Sequence, residues 1–195
     1  MVSNDEVIDR IFQICTLTHD PRSFPTAKID AFVNSLEDCF LKGNKIAFLG
    51  NGGSAAESLH LAAEFTGKCV IPHRPLPALS LNSNQSELTA IANDFGVEFI
   101  FSRLVEAHLQ DGDILVCLST SGKSQNIINA IHAAAQRSVK TYLWTGMNFE
   151  DTTTAEVWKV PSSSTPRIQE VHLMWGHIIA EVLEARFSKS EEVDK

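Results

Sequence analysis

Two residues in the segment LHLAAEF are suited to sharing a metal ion. His60 and Glu64 are four positions apart, and on an α-helix this spacing places two side chains on one face, one turn apart. An imidazole and a carboxylate are both ligands for divalent metals. Such pairs are also common on solvated helix faces, so this pair alone does not establish a metal site.

Further polar residues occur on the last helical segment, which otherwise has the pattern of a buried helix. Gln169 and His177 could add ligands to His60 and Glu64, and His172 is a rival that spacing does not exclude. On one helix, Gln169 and His177 lie roughly 12 Å apart along the axis at about 1.5 Å per residue. A neighbouring subunit could therefore supply one of them without both side chains being stretched.

Two turns rich in glycine or hydroxyl groups follow apolar runs, at 50–54 (GNGGS) and 119–124 (STSGKS). Hydroxyls and free backbone N–H groups before a helix bind anions, so the second turn is suited to a phosphate monoester, although an ordinary serine-rich loop has the same composition. The first turn matches a relaxed dinucleotide fingerprint, but the confirming acidic residue after the second strand is missing. A tight turn with a capping box between Ser54 and Glu57 explains it without a ligand.

Composition narrows the class of protein. Apolar residues make up 44% and charged residues 21% of the 195 residues, which is usual for one globular domain. The net charge of −8 argues against a nucleic-acid or anionic-membrane partner and means that an anionic substrate needs local attraction. The four cysteines form no CxxC motif, and no signal or membrane-spanning segment is evident. These features predict a cytoplasmic protein with reduced thiols.

Short apolar runs alternate with helical patterns, which predicts an α/β fold with a parallel sheet covered on both faces. The predicted strands are 45–49, 76–81, 113–118, 140–144 and 156–160, and the helices between them are at about 54–66, 86–93, 97–109 and 124–137. Two helical stripes precede the first strand. The last helix is expected to have Thr165 as its N-cap and Pro166 as its first residue. Its stretch 173–183 is apolar nearly all round, which favours contact with another subunit.

Four segments in this order and spacing resemble the sugar isomerase (SIS) domain and, within it, the phosphoheptose isomerases. They are 50–67 (GNGGSAAESLHLAAEFTG), 88–96 (LTAIANDFG), 112–127 (GDILVCLSTSGKSQNI) and 164–179 (STPRIQEVHLMWGHII). The resemblance implies a three-layer α/β/α sandwich with a flavodoxin-like parallel sheet in residues 44–188. The N-terminal helices in 1–43 are additions that pack on the domain or in the oligomer interface. Residues 189–195 are expected to form a disordered tail. The resemblance also implies a homotetramer with active sites at subunit interfaces.

The resemblance further implies one divalent metal per site, generally zinc, on His60, Glu64, Gln169 and His177. It implies that sugar-phosphate contacts come from Asn51, Gly52, Gly53, Glu64, Asn93, Asp94, Ser119, Thr120, Ser121, Ser124 and Gln169. An aldose–ketose isomerisation needs a base over a carbon-bound proton and an acid/base for the oxygens. Glu64 is the candidate base and His177 the candidate acid/base.

The implied reaction converts sedoheptulose 7-phosphate to D-glycero-D-manno-heptose 7-phosphate through an enediol, as the first step of ADP- or GDP-heptose precursor synthesis. Two alternatives are a non-enzymatic SIS protein that binds the replication initiator, and an isomerase or regulator for another sugar phosphate. The first should tolerate loss of the metal-site residues, and this chain keeps them. Lys68 and Lys123 stand where the family often has arginine and asparagine, which bears on substrate preference.

Overall fold

A five-stranded sheet, parallel throughout, forms the centre of the computed structural model, which describes residues 4–19, 26–150 and 153–191. The strand order is β2-β1-β3-β4-β5. The strands are β1 (Ile46–Gly50), β2 (Ala78–Ser80), β3 (Ile114–Leu118), β4 (Lys140–Gly146) and β5 (Glu156–Val160). This order confirms the flavodoxin-like prediction and places the topological switch point between β1 and β3. Gly50 pairs with Leu118 there, so the turns that follow these two strands begin side by side.

Helices cover both faces of the sheet and complete the three layers. They are α1 (Asn4–His19), α2 (Thr26–Leu41), α3 (Gly53–Thr66), α4 (Gln85–Phe95), a 3-10 helix (Val97–Phe99), α5 (Ile100–His108), α6 (Gln125–Gln136) and α7 (Thr165–Glu191). Helices α2, α3 and α7 share one apolar core, and α5 and α6 share the other. Residues of β1 alternate between the two cores, with Phe48 in the first and Leu49 in the second. Both faces of the central strands are buried, which explains their continuous apolar runs.

The predicted elements occur with small shifts at their ends. Helix α7 begins at Thr165, one residue earlier than predicted, because the Ile168 N–H donates to the Ser164 carbonyl at 3.0 Å. It continues to Glu191, so it includes the first three residues of the expected tail 189–195, and residues 192–195 lie outside the described part of the chain. Among the described residues, no helix is long and apolar enough to cross a membrane.

Helices α3 and α7 run in the same direction and touch at two glycines. A Cβ on Gly53 would overlap Nε2 of Gln169, and a Cβ on Gly176 would overlap Cδ2 of Leu61. Only glycine permits this approach without displacement of a neighbour. The contact between Gly53 and Gln169 aligns the start of α3 with the start of α7. About two helical turns further along, the contact between Leu61 and Gly176 brings the middle of the two helices together.

A buried carboxylate ties the far end of α7 to the chain that leaves α3. Glu184 is 1% exposed and accepts backbone N–H groups of Cys69, Val70 (2.9 Å) and Ile71 (3.1 Å). His73 Nε2 lies 3.3 Å from the same carboxylate. Burial alone would raise the pKa of Glu184, but these N–H groups hold it below its usual value.

Candidate active site

One cluster of possible metal ligands lies where α3 meets α7. Nε2 of His60 is 2.8 Å from Nε2 of His177 and 3.4 Å from Oε1 of Glu64. One ligand atom from each of the three residues lies within 4.8 Å of the others. The four-residue spacing on α3 and the register of α7 against α3 together produce this grouping. It is the only group of this kind among the residues that the structure describes.

The cluster fits a small divalent cation. Metal bonds of about 2.0–2.1 Å in a tetrahedral arrangement put two nitrogen ligands about 3.3 Å apart. The His60–Glu64 distance of 3.4 Å meets this spacing, and the two imidazole nitrogens at 2.8 Å would separate by about half an ångström. His60 is 47% exposed and Glu64 17%, so the cluster is reachable from solvent. Burial, with a contribution from Glu64, raises the pKa of the nearby Cys69 thiol to about 11.

A polar cavity of about 150 Å³ lies at the carboxyl edge of the sheet, between the turns that follow β1 and β3. Its lining residues are Asn51, Gly53, Ser54, Leu118, Ser119, Thr120, Ser121, Ser124, Thr165 and Gln169. Seven of these were predicted as substrate contacts from the sequence. Ligands of open parallel sheets bind at the topological switch point. The position of the cavity and its polar lining therefore both indicate a ligand-binding site.

The first turn is shaped by glycine and fixed by an asparagine. Gly52 has φ +56° and is the N-cap of α3, with no side-chain cap hydrogen bond, so the predicted capping box at Ser54 is wrong. Ser54 already lies within the first helical turn. Asn82, at the end of β2, accepts the Gly50 N–H at 3.1 Å and donates to the Gly50 carbonyl at 3.0 Å. The Ser58 hydroxyl donates to the same Asn82 side chain at 3.0 Å.

The second turn presents hydroxyls around a glycine that packs on an aromatic ring. The Gly122 N–H donates to the Ser119 hydroxyl at 3.1 Å, and Gly122 has φ +68°. A Cβ on Gly122 would overlap the ring of Phe149, so this side chain supports the turn from behind. Ser124 is the N-cap of α6, and its side chain makes no cap hydrogen bond. Its hydroxyl and the first N–H groups of α6 are thus available to an anion.

Two predicted site residues lie apart from both groups, and a third, Gln169, lies at the cavity but not beside His177 on α7. Asn93 and Asp94 are exposed in the last turns of α4, where Asn93 Nδ2 donates to Asp94 Oδ1 at 2.7 Å, and neither lines the cavity. Gln169 lines the cavity, where its Nε2 is 3.4 Å from the Ser54 hydroxyl, and it is two helical turns before His177. The assignments of all three as ligands or contacts therefore stay predictions.

Some residues of the site were not found by sequence reasoning. Ser54 and Thr165 line the cavity, although the sequence suggested helix capping for both. Their position beside predicted site residues was the available signal. Asn82 and Asn126 hold the first turn from other elements, and no local pattern indicates such long-range hydrogen bonds.

Helices α3 and α7 also carry two buried ionisable groups with displaced pKa values. Burial raises the pKa of Glu57 to about 7 and lowers that of His172 to about 3. His172 is fully buried against the rings of Trp144 and Trp175, which places this rival ligand in the core. Both groups are neutral in the folded protein at moderately acidic pH.

The raised pKa of Glu57 predicts a specific pH dependence of stability. Between the ordinary value of 4.5 and about 7, folded protein holds a proton on Glu57 that the unfolded chain has lost. The contribution of this group to the free energy of unfolding therefore falls as the pH rises through this window. The free energy of unfolding of Glu57→Gln, relative to that of the wild type, should therefore rise by on the order of 2 kcal/mol between pH 5 and pH 8.

The measurement is urea denaturation of both proteins across this range. Glu106→Gln is a matched control, because Glu106 is exposed, and its difference from the wild type should stay flat. An equally flat difference for Glu57→Gln would contradict the assignment.

Comparison with known proteins identifies the family of this chain. Residues 17–146 match the model of the SIS domain. A phosphoheptose isomerase of Rhodospirillum rubrum is 40% identical over 182 residues, covering 80% of this chain and 96% of that protein. One from Synechocystis is 43% identical over 168 residues, covering 85% of this chain and 86% of that protein. The solved phosphoheptose isomerase of Neisseria gonorrhoeae has a TM-score of 0.83 and 32% identity, covering 93% of this chain and 98% of that one. The chain therefore belongs to the SIS domain family and, within it, to the phosphoheptose isomerases.

Proposed function

We propose that this chain converts sedoheptulose 7-phosphate to D-glycero-D-manno-heptose 7-phosphate, an aldose–ketose isomerisation, at the carboxyl edge of its sheet. The observation that carries the proposal is the presence of two dissimilar sites in one chain, both of which include residues of α3 and α7. One is a hydroxyl-lined cavity suited to a phosphate, and the other is the cluster of His60, Glu64 and His177. A sugar phosphate needs both an anion site and acid/base groups near its carbonyl end.

The phosphate end of the substrate is assigned to the turn 119–124. Ser119, Ser121 and Ser124 offer hydroxyl groups, and the N-terminus of α6 offers unpaired N–H groups and a favourable dipole. Lys123 lines an adjoining cavity of about 230 Å³ that shares Thr120, Ser121 and Thr165 with the first. These local donors and the lysine offset the repulsion expected from a net charge of −8.

The carbonyl end is assigned to the cluster on α3 and α7. His60, Glu64 and His177 would hold a divalent ion, with zinc favoured by the histidine ligands. When bound, such an ion supplies Lewis-acid polarisation of the sugar oxygens and stabilises negative charge on them.

Proton movements are assigned to two residues of this cluster. The Glu64 carboxylate would act as the base after the substrate has replaced it as a ligand. It then takes the carbon-bound proton and returns it to the neighbouring carbon. The His177 imidazole moves the proton between the two sugar oxygens. Its Nε2 lies 2.8 Å from Nε2 of His60. Because both nitrogens would be ligands of the ion, they would share no proton while it is bound.

A direct test incubates purified, metal-loaded protein with sedoheptulose 7-phosphate and follows the aldose product by NMR. Glu64→Gln keeps the size of the side chain and removes the base, so kcat should fall by about 10²–10⁴. His177→Gln should lower kcat similarly. Metal content and circular dichroism control for loss of the site or fold. Wild-type turnover in a folded, metal-loaded Glu64→Gln protein would exclude this base.

The phosphate assignment predicts an effect mainly on substrate binding. Ser121→Ala and Ser124→Ala should raise KM several-fold with a smaller change in kcat, because phosphate contacts are made in ground and transition states alike. Ser35→Ala is a matched control, because the Ser35 hydroxyl donates a hydrogen bond to the Ala31 carbonyl on α2 and lies outside the cavity. The assignment would be wrong if the protein used dephosphorylated heptulose equally well.

A shared site between subunits is also proposed, with a tetramer as the assembly. Gln169 lies at the cavity of its own chain, two helical turns from His177, so a second chain can supply a Gln169 to the cluster. Part of α7 is apolar but only half-buried in one chain, at Leu173, Met174, Ile178 and Val182. An apolar helix face of this kind is suited to a subunit interface.

Complementation tests the shared site. Gln169→Ala and His177→Ala proteins should each be inactive, and mixing them after reversible dissociation should restore part of the activity. Restoration follows because some sites then receive Gln169 from one variant and His177 from the other. Two copies of the same variant give the control mixture. Activity in a protein that sedimentation shows to be monomeric would rule the shared site out.

A further inference from the structure

Two asparagine side chains form a reciprocal pair across the cavity edge. Asn51 Nδ2 donates to Asn126 Oδ1 at 2.9 Å, and Asn126 Nδ2 donates to Asn51 Oδ1 at 2.9 Å. The two residues are 75 positions apart in the chain. Asn126 is 7% exposed, whereas Asn51 is exposed. The pair therefore joins an accessible side chain to a buried support.

This pair bridges the two turns of the site. Asn51 follows β1 in the first turn, and Asn126 lies in the first turn of α6, directly after the second turn. Within the described part of the chain, no other side-chain hydrogen bond connects the residues 50–54 with 119–126. The strands hold the two turns side by side only up to Gly50 and Leu118. Beyond these residues, the asparagine pair is the side-chain hydrogen-bond link between the two turns.

The pair also fixes which way the Asn51 amide points. A primary amide has two N–H donors and one oxygen acceptor. The reciprocal pair uses one N–H and the oxygen of each residue, so turning either amide over would set donor against donor. Asn51 keeps one N–H free, and it lines the cavity, whereas Asn126 does not. The free N–H of Asn51 is thus held in one orientation at the cavity.

We propose that Asn126 is a positioning residue, which orients the free N–H of Asn51 toward an oxygen of the substrate and sets the distance between the two turns. This role rests on the proposed sugar-phosphate site. Asn126 itself need not touch the substrate. Its effect on the reaction passes through Asn51, so the two residues should act as one unit.

Kinetics of single and double variants separate this role from general support of the fold. Asn126→Ala should raise KM about 10-fold and change kcat less than about 3-fold, because uniform substrate binding is lost. Asn51→Ala should have a similar effect. In the Asn51→Ala background, Asn126→Ala should add less than about 2-fold, since no amide remains to be oriented. Asn126→Leu should raise KM to the same extent as Asn126→Ala. Because leucine has a similar volume to asparagine, this variant leaves no void in the packing around position 126.

A neighbouring asparagine provides the control. Asn129, one turn further along α6, donates to the Glu98 carbonyl at 2.9 Å and does not line the cavity. Asn129→Ala removes a comparable hydrogen bond and should leave KM unchanged. Effects of Asn51→Ala and Asn126→Ala that multiply, or a KM for Asn126→Ala equal to that of Asn129→Ala, would overturn the proposal.

A second measurement depends on neither activity nor a substitution at Asn126. In the ¹⁵N-labelled wild-type protein, the Asn126 side-chain amide should exchange with solvent slowly, and Asn51→Ala should speed its exchange at least 10-fold. Inorganic phosphate serves as a probe of the site, and its Kd should be higher for Asn51→Ala than for the wild type. Asn126 exchange as fast as that of exposed Asn84, whose side-chain oxygen caps α4, would refute the pair even if the isomerase is active. Slow exchange in a protein without isomerase activity would instead refute the proposed function alone.

Discussion

The close packing of α3 on α7 is the constraint on which the site depends. Gly53 and Gly176 have no Cβ where they meet the side chains of Gln169 and Leu61, and this allows the two helices to approach closely. This approach fixes their register, so that His60 meets His177 and the start of α7 meets the glycine turn. A Cβ at Gly53 would displace the Gln169 amide at the wall of the cavity, and one at Gly176 would displace the Leu61 side chain, next to His60. The chemistry of the site is thus set by two positions that have no side-chain chemistry.

The sequence was informative where structure is local. Apolar runs of five or six residues predicted all five strands, and the turns after β1 and β3 were predicted as binding segments. Local patterns do not report contacts between distant elements. For this reason the pairing of Asn51 with Asn126 and the anchoring of Gly50 by Asn82 were missed. The supposed cap at Ser54 failed because Gly52, with a positive φ, begins the helix instead.

Electrostatics are handled locally in this molecule. A chain with net charge −8 repels an anionic substrate over distances comparable to the Debye length, which is about 8 Å at physiological salt. At contact distance, the hydroxyls and N–H groups at the start of α6 act on the phosphate directly. Glu57, close to the site on α3, would oppose binding if ionised, and burial keeps it neutral over much of the acidic range.

The Glu184 carboxylate couples the unfolding of α3 to that of α7. It binds three N–H groups of the segment that leaves α3, while Gly53 and Gln169 hold the opposite end. Helices joined at both ends cannot fray separately, because opening one exposes groups that are paired with the other. They should open as one cooperative block in native-state hydrogen exchange. The metal ligands would then be lost or kept together, and partial forms of the cluster would not accumulate.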